Sequence, residues 1–370
     1  MPKRKRGPIK GGEVTSSSSS DEESDEEQIA ISIDQHGRVV FGGKLNYEFQ
    51  CFENIFSCCA NDKSFYPSMF GDCKGAFTAR EMENDDDYSS GDTFFLPASA
   101  ERPKSRLEQI VKDIFDYHTK DVSYDPKISG AEWWTLVVDS SDGGVGFHWD
   151  KDYGMEEHGV SIFPHIATVT YISQVEKAAP TIVLEKTSPP IFEASVEGKA
   201  GKNVYISWPK QGKHIAFDGR YLHAACTELI PAPISDVDSR SKETSVEKRI
   251  SLLVNIWLNH VPKDAVTCPK SISRKFCQSN VGRGNTLNFE DCRAPIDLKV
   301  TRDKSFQGFG LKDFEWQLFV DSVEHTVCAS IPISKIEDAR AKDKDTNLCR
   351  LVYDDSVSLP RVVKKRQSVN

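Results

Sequence analysis

No stretch of the sequence approaches the roughly 20 consecutive apolar residues that a membrane-spanning helix needs, so no membrane partner is expected. The N-terminal Met1-Pro2-Lys3-Arg4-Lys5-Arg6 is basic, but no apolar run follows it, which argues against a secretory signal. Cysteine is sparse: ten in 370 residues, spread from Cys51 to Cys349 without a CxxC pair. That spacing argues against a disulfide scaffold, a zinc finger or a thioredoxin-type site, and predicts buried thiols instead. An excess of positive charge is also missing. Lys and Arg number 47 against 56 Asp and Glu, a formal charge of −9, which argues against a protein that coats nucleic acid. There is no internal repeat. Apolar residues, at 38%, are few for a wholly folded chain, so part of it is expected to be tail or long loop. These absences lead to the expectation of a soluble protein of the nucleus or cytoplasm. Oligomeric state is not legible.

What is present divides the chain into four expected segments. Residues 1–28 carry cations at Lys3 to Arg6 and Lys10, five serines from Ser16 to Ser20, and an acidic run from Asp21 to Glu27. Such a composition buries little apolar surface and reads as a disordered tail. The cations are either a solvated patch or a nuclear import signal, and their terminal, accessible placement favours the signal. The serines among carboxylates resemble acidophilic-kinase sites. A second small basic patch lies at Lys364-Lys365-Arg366.

Residues 29–125 read as a supporting strand and helix unit. Short strands and loops are expected over 29–100, with a turn at Gly42-Gly43 and an exposed loop from Asp85 to Gly91. A helix is expected over 103–119, because Leu107, Ile110, Val111, Ile114, Phe115 and His118 fall on one stripe. His118, at its end, is expected to meet the helix dipole.

Residues 126–262 change to a strand pattern. Strands are expected at Glu132–Val138, Ile166–Ile172, Thr181–Glu185, Asn203–Trp208, His214–Phe217 and Arg249–Leu258. Turn residues at 179–180, 209–212 and 218–219 separate them. Many short strands so punctuated argue a β-sandwich or jelly-roll barrel, mainly β with flanking helices. Polar insertions at 151–164 and 227–248 are expected to be functional rims or disordered. Residues 263–370 form a C-terminal extension, irregular over 263–300 and strand-like at Trp316–Val320 and Thr326–Ile333. It either extends the barrel or makes a small module of its own.

The segment Gly143-Gly144-Val145-Gly146-Phe147-His148-Trp149-Asp150 carries chemistry. On extended backbone His148 and Asp150 point to one side and Trp149 to the other. A nitrogen and an oxygen donor at i and i+2 can reach one cation. A second His from a neighbouring strand completes a 2-His-1-carboxylate triad, which holds Fe(II) and leaves positions open. An HxD triplet alone is common at this acidic content, so its weight comes from residues farther down the chain. His223 lies 75 residues on, after a turn, and Arg249 and Ser251 open a strongly apolar strand. A cation at the mouth of a buried strand is costly unless an anion meets it, and the Arg fork with a neighbouring hydroxyl suits a carboxylate.

The order HxD, then H, then RxS, on a strand pattern of this kind, resembles the Fe(II)/2-oxoglutarate-dependent oxygenases, in style the prolyl-4-hydroxylase-like branch. The resemblance covers roughly residues 130–260. It implies a double-stranded β-helix (jelly-roll, cupin-like) core. It implies His148, Asp150 and His223 as iron ligands and catalytic centre. Arg249 then pairs with the distal carboxylate of 2-oxoglutarate, Ser251 assists, and Tyr171 on an inner strand lies at the co-substrate. Cofactors implied are Fe(II), 2-oxoglutarate and O2, with ascorbate as reductant. The activity implied is hydroxylation or demethylation of an unidentified substrate, with succinate and CO2 as co-products; a protein side chain is the first candidate. Ala178-Ala179-Pro180-Thr181 departs from the Gly-Gly-x-Thr usual near that inner strand, and the 26-residue gap from His223 to Arg249 is longer than usual.

Rivals stand beside each residue. His158, His165 and His214 compete with His223, which the resemblance favours because the family places its distal His after such a turn. Asp152 competes with Asp150 but lies too far along a strand. Arg220 competes with Arg249. Trp133, Trp134, Phe147 and Tyr171 are expected to line the pocket. Two other functions remain: a catalytically inactive jelly-roll that binds a partner, and a zinc hydrolase built on the same ligands.

Overall fold

The computed structural model describes residues 32–33, 39–40, 42–77, 92–139, 144–156, 158, 160–175, 178–187, 200–229, 248–276, 287–290, 292–302, 310–320, 323–343, 345–353 and 361–364. The N-terminal tail, the loop at 85–91, most of the 227–248 insertion, Cys277 and the patch at 365–366 lie outside these residues. Of the described cysteines, Cys51, Cys73, Cys226, Cys268 and Cys349 are buried free thiols.

Two short strands, β1 (Ser32–Ile33) and β2 (Val39–Val40), pair antiparallel. β3 (Gln50–Phe52) and helix α1 (Phe65–Ala76) follow, then β4 (Phe94–Pro97) and helix α2 (Arg106–Thr119). The strands β5 (Gly130–Asp139), β6 (Val145–His148), β7 (Ile166–Tyr171), β8 (Thr181–Lys186), β9 (Ala200–Ser207), β10 (His214–Asp218), β11 (Leu222–Ala225) and β12 (Lys248–Trp257) form the barrel. One sheet has the order β3-β10-β7-β12-β5-β4. The other contains β9-β8-β11-β6. From β5 to β12 the chain alternates between two facing sheets, except at β8 and β9, which pair within one, and this is the double-stranded β-helix. The chain is therefore mainly β, with helices laid on one face.

Burial on both faces of the first sheet explains its near-continuous apolar strands. All six residues of β7 are buried. On β12, Ile250, Leu252, Val254 and Ile256 join a core with Leu107, Ile110, Val111, Ile114 and Phe115 of α2. That helix starts at Arg106, not at residue 103. Ser105 caps it, its Oγ accepting from the Glu108 amide at 3.1 Å, and the Glu108 carboxylate accepts from the Lys104 amide in return. The two residues before Ser105 stay outside because the cap is extended.

Helix α1 corrects the expectation of strands and loops over 29–100. Pro67 and two glycines hide it in the sequence. Pro67 sits in the first turn, where its missing amide proton has no partner to lose. Phe65, Met69, Cys73 and Ala76 bury one face.

His118 corrects a second expectation. It does not serve as a charged dipole partner. Its Nε2 lies 3.2 Å from Nε2 of His214, whose Nδ1 lies 2.7 Å from Thr170 Oγ1. Burial, and then the charge of Lys120, push His118 down to about 3. His214 is pushed well below its ordinary value by burial and by His118. Two neutral imidazoles sharing one proton fit that contact.

The C-terminal segment does both things the sequence left open. The strands β13 (Leu298–Arg302) and β16 (Leu348–Tyr353) extend the second sheet, β16 pairing with β9. The strands β14 (Lys312–Val320), β15 (Val323–Ile331) and β17 (Arg361–Lys364) make a separate sheet, followed in the chain between β15 and β16 by helix α5 (Ile333–Lys342). This sheet packs on the outer face of the barrel: Trp316 on β14 lies 4.9 Å from Phe147 on β6, ring to ring. Helices α3 (Tyr153–Glu156) and α4 (Lys270–Ser273) are single turns in the connections. Among the described residues, no helix is long and apolar enough to cross a membrane.

Two outcomes are expected. Ile114→Ala removes a fully buried side chain and should cost about 2–5 kcal/mol in urea denaturation. The unfolded chain protonates its histidines near 6.5, whereas His118 in the fold resists down to about 3, so stability should fall as pH drops through that window. His118→Gln, neutral throughout, should flatten this acid limb; an unchanged limb would assign it to other groups.

Candidate metal and co-substrate site

The facing sheets enclose a cavity of about 700 Å³. Its walls follow from strand alternation. On β12 Arg249, Ser251, Leu253 and Asn255 face inward, and on β5 Glu132, Trp134 and Leu136 do. Register sets Leu136 opposite Ser251, Trp134 opposite Leu253 and Glu132 opposite Asn255. The middle is therefore apolar and each end polar.

At one end three donors meet. His148 closes β6, and the β6–β11 register sets it directly opposite His223. The two rings are 4.3 Å apart. His148 Nε2 lies 3.5 Å from Asp150 Oδ1, and His223 Nε2 lies 3.5 Å from Asp150 Oδ2. One ligand atom from each residue falls within 4.8 Å of the others. Donors about 2.0–2.2 Å from a shared cation stand roughly 3–3.5 Å apart, so these spacings fit one metal ion. Trp149 turns away into packing, its Nε1 donating to the Lys186 carbonyl at 3.1 Å.

The outer contacts aim these donors. His148 Nδ1 lies 2.8 Å from the Gly146 carbonyl, and His223 Nδ1 lies 3.0 Å from the Tyr221 carbonyl. A carbonyl only accepts, so each Nδ1 carries the proton and each Nε2 offers a lone pair to the shared space. The turn before His223 is held by the buried Asp218, which accepts from Arg220 Nη2 at 2.7 Å. Burial opposes the Asp150 charge, yet the neighbouring His223, the contact with His148 and a hydrogen bond from Asn255 hold its carboxyl down to about 2. Burial and the His148 charge lower His223 to about 4, so it is neutral and free to ligate at neutral pH. On His148, burial is outweighed by its contacts with Asp150, and its affinity for a proton rises.

The other end is a cationic cradle. Arg249 and Ser251 are buried. Arg249 Nη2 donates to Thr181 Oγ1 at 3.2 Å. Among the described residues, Arg249 Nε and Nη1 and Ser251 Oγ have no hydrogen-bond partner. Orphaned donors on a buried guanidinium are costly, and a carboxylate entering the cavity would satisfy them. The residues thus fit a dicarboxylate spanning from this cradle to the metal donors.

The rival residues go elsewhere. His158 is exposed, its Nε2 3.1 Å from Lys263 Nζ. His165 Nδ1 accepts from the Leu258 amide at 3.3 Å, and His214 belongs to the buried pair with His118. Asp152 binds His260 at 2.7 Å. Arg220 is spent on Asp218. Of the expected lining residues, Trp134 and Phe147 border the cavity. Trp133 instead faces the helices, 5.0 Å from the Phe94 ring, because neighbours on a strand alternate. Tyr171 lies one layer below: its hydroxyl donates to Thr181 Oγ1 at 2.8 Å, and the Arg249 guanidinium sits 5.8 Å from its ring centre. It positions the cradle rather than lining the cavity.

Among the lining residues not singled out from sequence are Thr181, Asn255 and Glu132. Asn255 hydrogen-bonds both carboxylates, Asp150 and Glu132. Glu132 Oε2 also accepts from Trp257 Nε1 at 3.0 Å. Burial pushes the Glu132 carboxyl up to about 7, and the Thr93, Trp257 and Asn255 hydrogen bonds only partly counter it. A period-2 reading outward from Arg249 finds Asn255, a lone amide in an apolar strand.

No protein-family model matches this sequence, and no curated protein matches it. Among solved structures, the chain is similar to an oxidoreductase of the 2OG-Fe(II) oxygenase family from Burkholderia pseudomallei, at 12% identity and TM-score 0.21, over 38% of this chain and 48% of that one. It thus spans about half the length of that relative. It is also similar to EvdO2 from Micromonospora carbonacea var. aurantiaca, solved with 2-oxoglutarate, at 9% identity and TM-score 0.29, over 62% of this chain and 98% of that one. Overlaps of this depth assign no activity.

Glu132 gives a signed pH dependence. The contribution of a carboxyl whose affinity for protons rises on folding is complete below about 4.5 and is lost as pH climbs through about 7. The metal-free protein should lose stability across that interval. Glu132→Gln should flatten the loss in pH-resolved thermal melts.

Proposed function

We propose that the chain is an Fe(II)/2-oxoglutarate-dependent oxygenase that hydroxylates or demethylates a side chain of another molecule. The observation that carries the reading is one cavity with a His-Asp-His donor set at one end and orphaned guanidinium and hydroxyl donors at the other. In this reading His148, Asp150 and His223 hold the iron. Arg249 and Ser251 hold the distal carboxylate of 2-oxoglutarate, and Thr181 and Tyr171 orient the guanidinium. The motif order follows the prolyl-4-hydroxylase-like branch in style. Iron held there would, with 2-oxoglutarate and O2, supply the oxidising power, with succinate and CO2 as the co-products.

The protein's own part is binding, orientation and exclusion of water. Leu136, Val169 and Leu253 give the co-substrate an apolar channel, in which the charge contacts at its ends are stronger than in water. Asn255 holds the Asp150 carboxylate by a hydrogen bond, with one oxygen toward each histidine. The backbone carbonyls at Gly146 and Tyr221 hold both imidazoles in the ligating tautomer. His148, Asp150 and His223 would hold the metal through three donors from one side, a set that leaves the ion open to other ligands.

The test is metal retention, 2-oxoglutarate binding and succinate formation in one preparation. His148→Ala and His223→Ala should abolish succinate formation and weaken Mn(II) binding by at least about 100-fold, read by electron paramagnetic resonance. Asn255→Leu should weaken metal binding by about 10–100-fold. Arg249→Met should raise the 2-oxoglutarate Kd by about 100-fold while metal binding is kept. Wild-type protein that holds neither metal nor 2-oxoglutarate would sink the reading.

A further inference from the structure

We infer that the substrate is a polypeptide that inserts a cationic side chain, of lysine or arginine type, alongside Glu132. The inference rests on the oxygenase reading and adds the chemistry of what that oxygenase accepts.

Charge in the cavity is the first argument. A ferrous ion, Asp150, a doubly charged 2-oxoglutarate and Arg249 cancel one another. Three further carboxylates line the cavity, Glu132, Asp152 and Asp264, against one lysine, Lys151. Asp152 is engaged, accepting from His260 Nε2 at 2.7 Å and the Lys263 amide at 3.1 Å. Lys151, whose Nζ lies 5.2 Å from the ring centre of Tyr153, offsets at most one of these three. Glu132 and Asp264 are left facing space that the co-substrate does not neutralise.

Position is the second argument. Glu132 stands opposite Asn255, six residues along β12 from Arg249. It therefore borders the metal end, away from the co-substrate cradle. The groups that hold it, Trp257, Thr93 and Asn255, are neutral donors that fix its direction, and a cation alongside would favour the ionised form that burial opposes. A partly buried carboxylate held this way gains most from a cation. Trp134, two residues on along the same face, offers its ring as the wall against which an aliphatic stem packs.

The mouth is the third argument. Tyr153 lines it and is 55% exposed, and Val261 and Val266, which flank the lining residues Pro262 and Ala265, are 39% and 51% exposed. Large apolar side chains around an acidic opening suit a peptide with apolar residues beside its basic one, better than a free amine or a phosphate backbone.

The probe is a set of fluorescent degenerate peptide pools with lysine, arginine, norleucine or glutamate fixed at the centre. They are titrated by anisotropy against full-length protein loaded anaerobically with Mn(II) and 2-oxoglutarate. A lysine or arginine pool should bind at least about tenfold more tightly than the norleucine pool, the scale of one charge-assisted hydrogen bond. Glu132→Gln should bring that difference to within about twofold, with Mn(II) affinity retained as the check on folding. Asp264→Asn, on the exposed rim, should reduce it less. The inference is overturned if norleucine or glutamate pools bind as well, if no pool binds, if Glu132→Gln keeps the full preference, or if a single-stranded oligonucleotide outcompetes every pool. Retained Mn(II) and 2-oxoglutarate binding in those cases leaves the oxygenase reading standing. Loss of both in wild-type protein overturns the reading and the inference together.

Discussion

The site depends on the pairing register of two four-residue strands. His148 and His223 are 75 positions apart in the chain, yet antiparallel pairing of β6 with β11 sets them face to face. A slip of one residue would turn one imidazole to the other side of the sheet and leave Asp150 with a single histidine. That register is held from outside. On one flank, β11 pairs with β8 over four positions. On the other, Phe147 and Trp149 anchor β6 in apolar packing, so the intervening His148 can point only into the cavity.

The constraint also sets the electrostatics. Asp150 keeps its charge in a buried place because two imidazoles and an amide surround it. His223 loses proton affinity chiefly through burial, and then through the neighbouring His148. Groups that would repel or go unsatisfied without an ion are instead poised to take one. Arg249 and Ser251 repeat that logic at the far end with the sign reversed. A fold that leaves costly donors and acceptors unmet at two ends of one cavity is shaped for a ligand that meets both.

Much of this was legible before any coordinates. Period-2 alternation put His148 with Asp150 and Arg249 with Ser251, because strand geometry is local. The apolar stripe of α2 was readable for the same reason. The choice of His223 over His165 or His214 was not local. It turned on which strand neighbours β6, and the resemblance supplied it, not the residues. Helix α1 was missed because Pro67 and its glycines suppress helical propensity, and packing of Phe65 and Met69 overrides that weakness. Trp133 was misplaced relative to Trp134 because two adjacent tryptophans carry no sign of which faces in. Glu132 and Asn255 went unremarked because each looks ordinary alone. Only the pairing of β5 with β12 makes them neighbours.

The small sheet of β14, β15 and β17 sits outside the barrel, yet Gln317 on β14 reaches the cavity wall. Metal donors and carboxylate cradle come from the barrel alone, while part of the entrance comes from a segment nearly 170 residues downstream of His148. The donor set and cradle on one hand, and this piece of the rim on the other, are thereby carried by separable stretches of polypeptide. Changes in the appended sheet would reshape that part of the rim while leaving the His-Asp-His donors and the Arg249 cradle as they are.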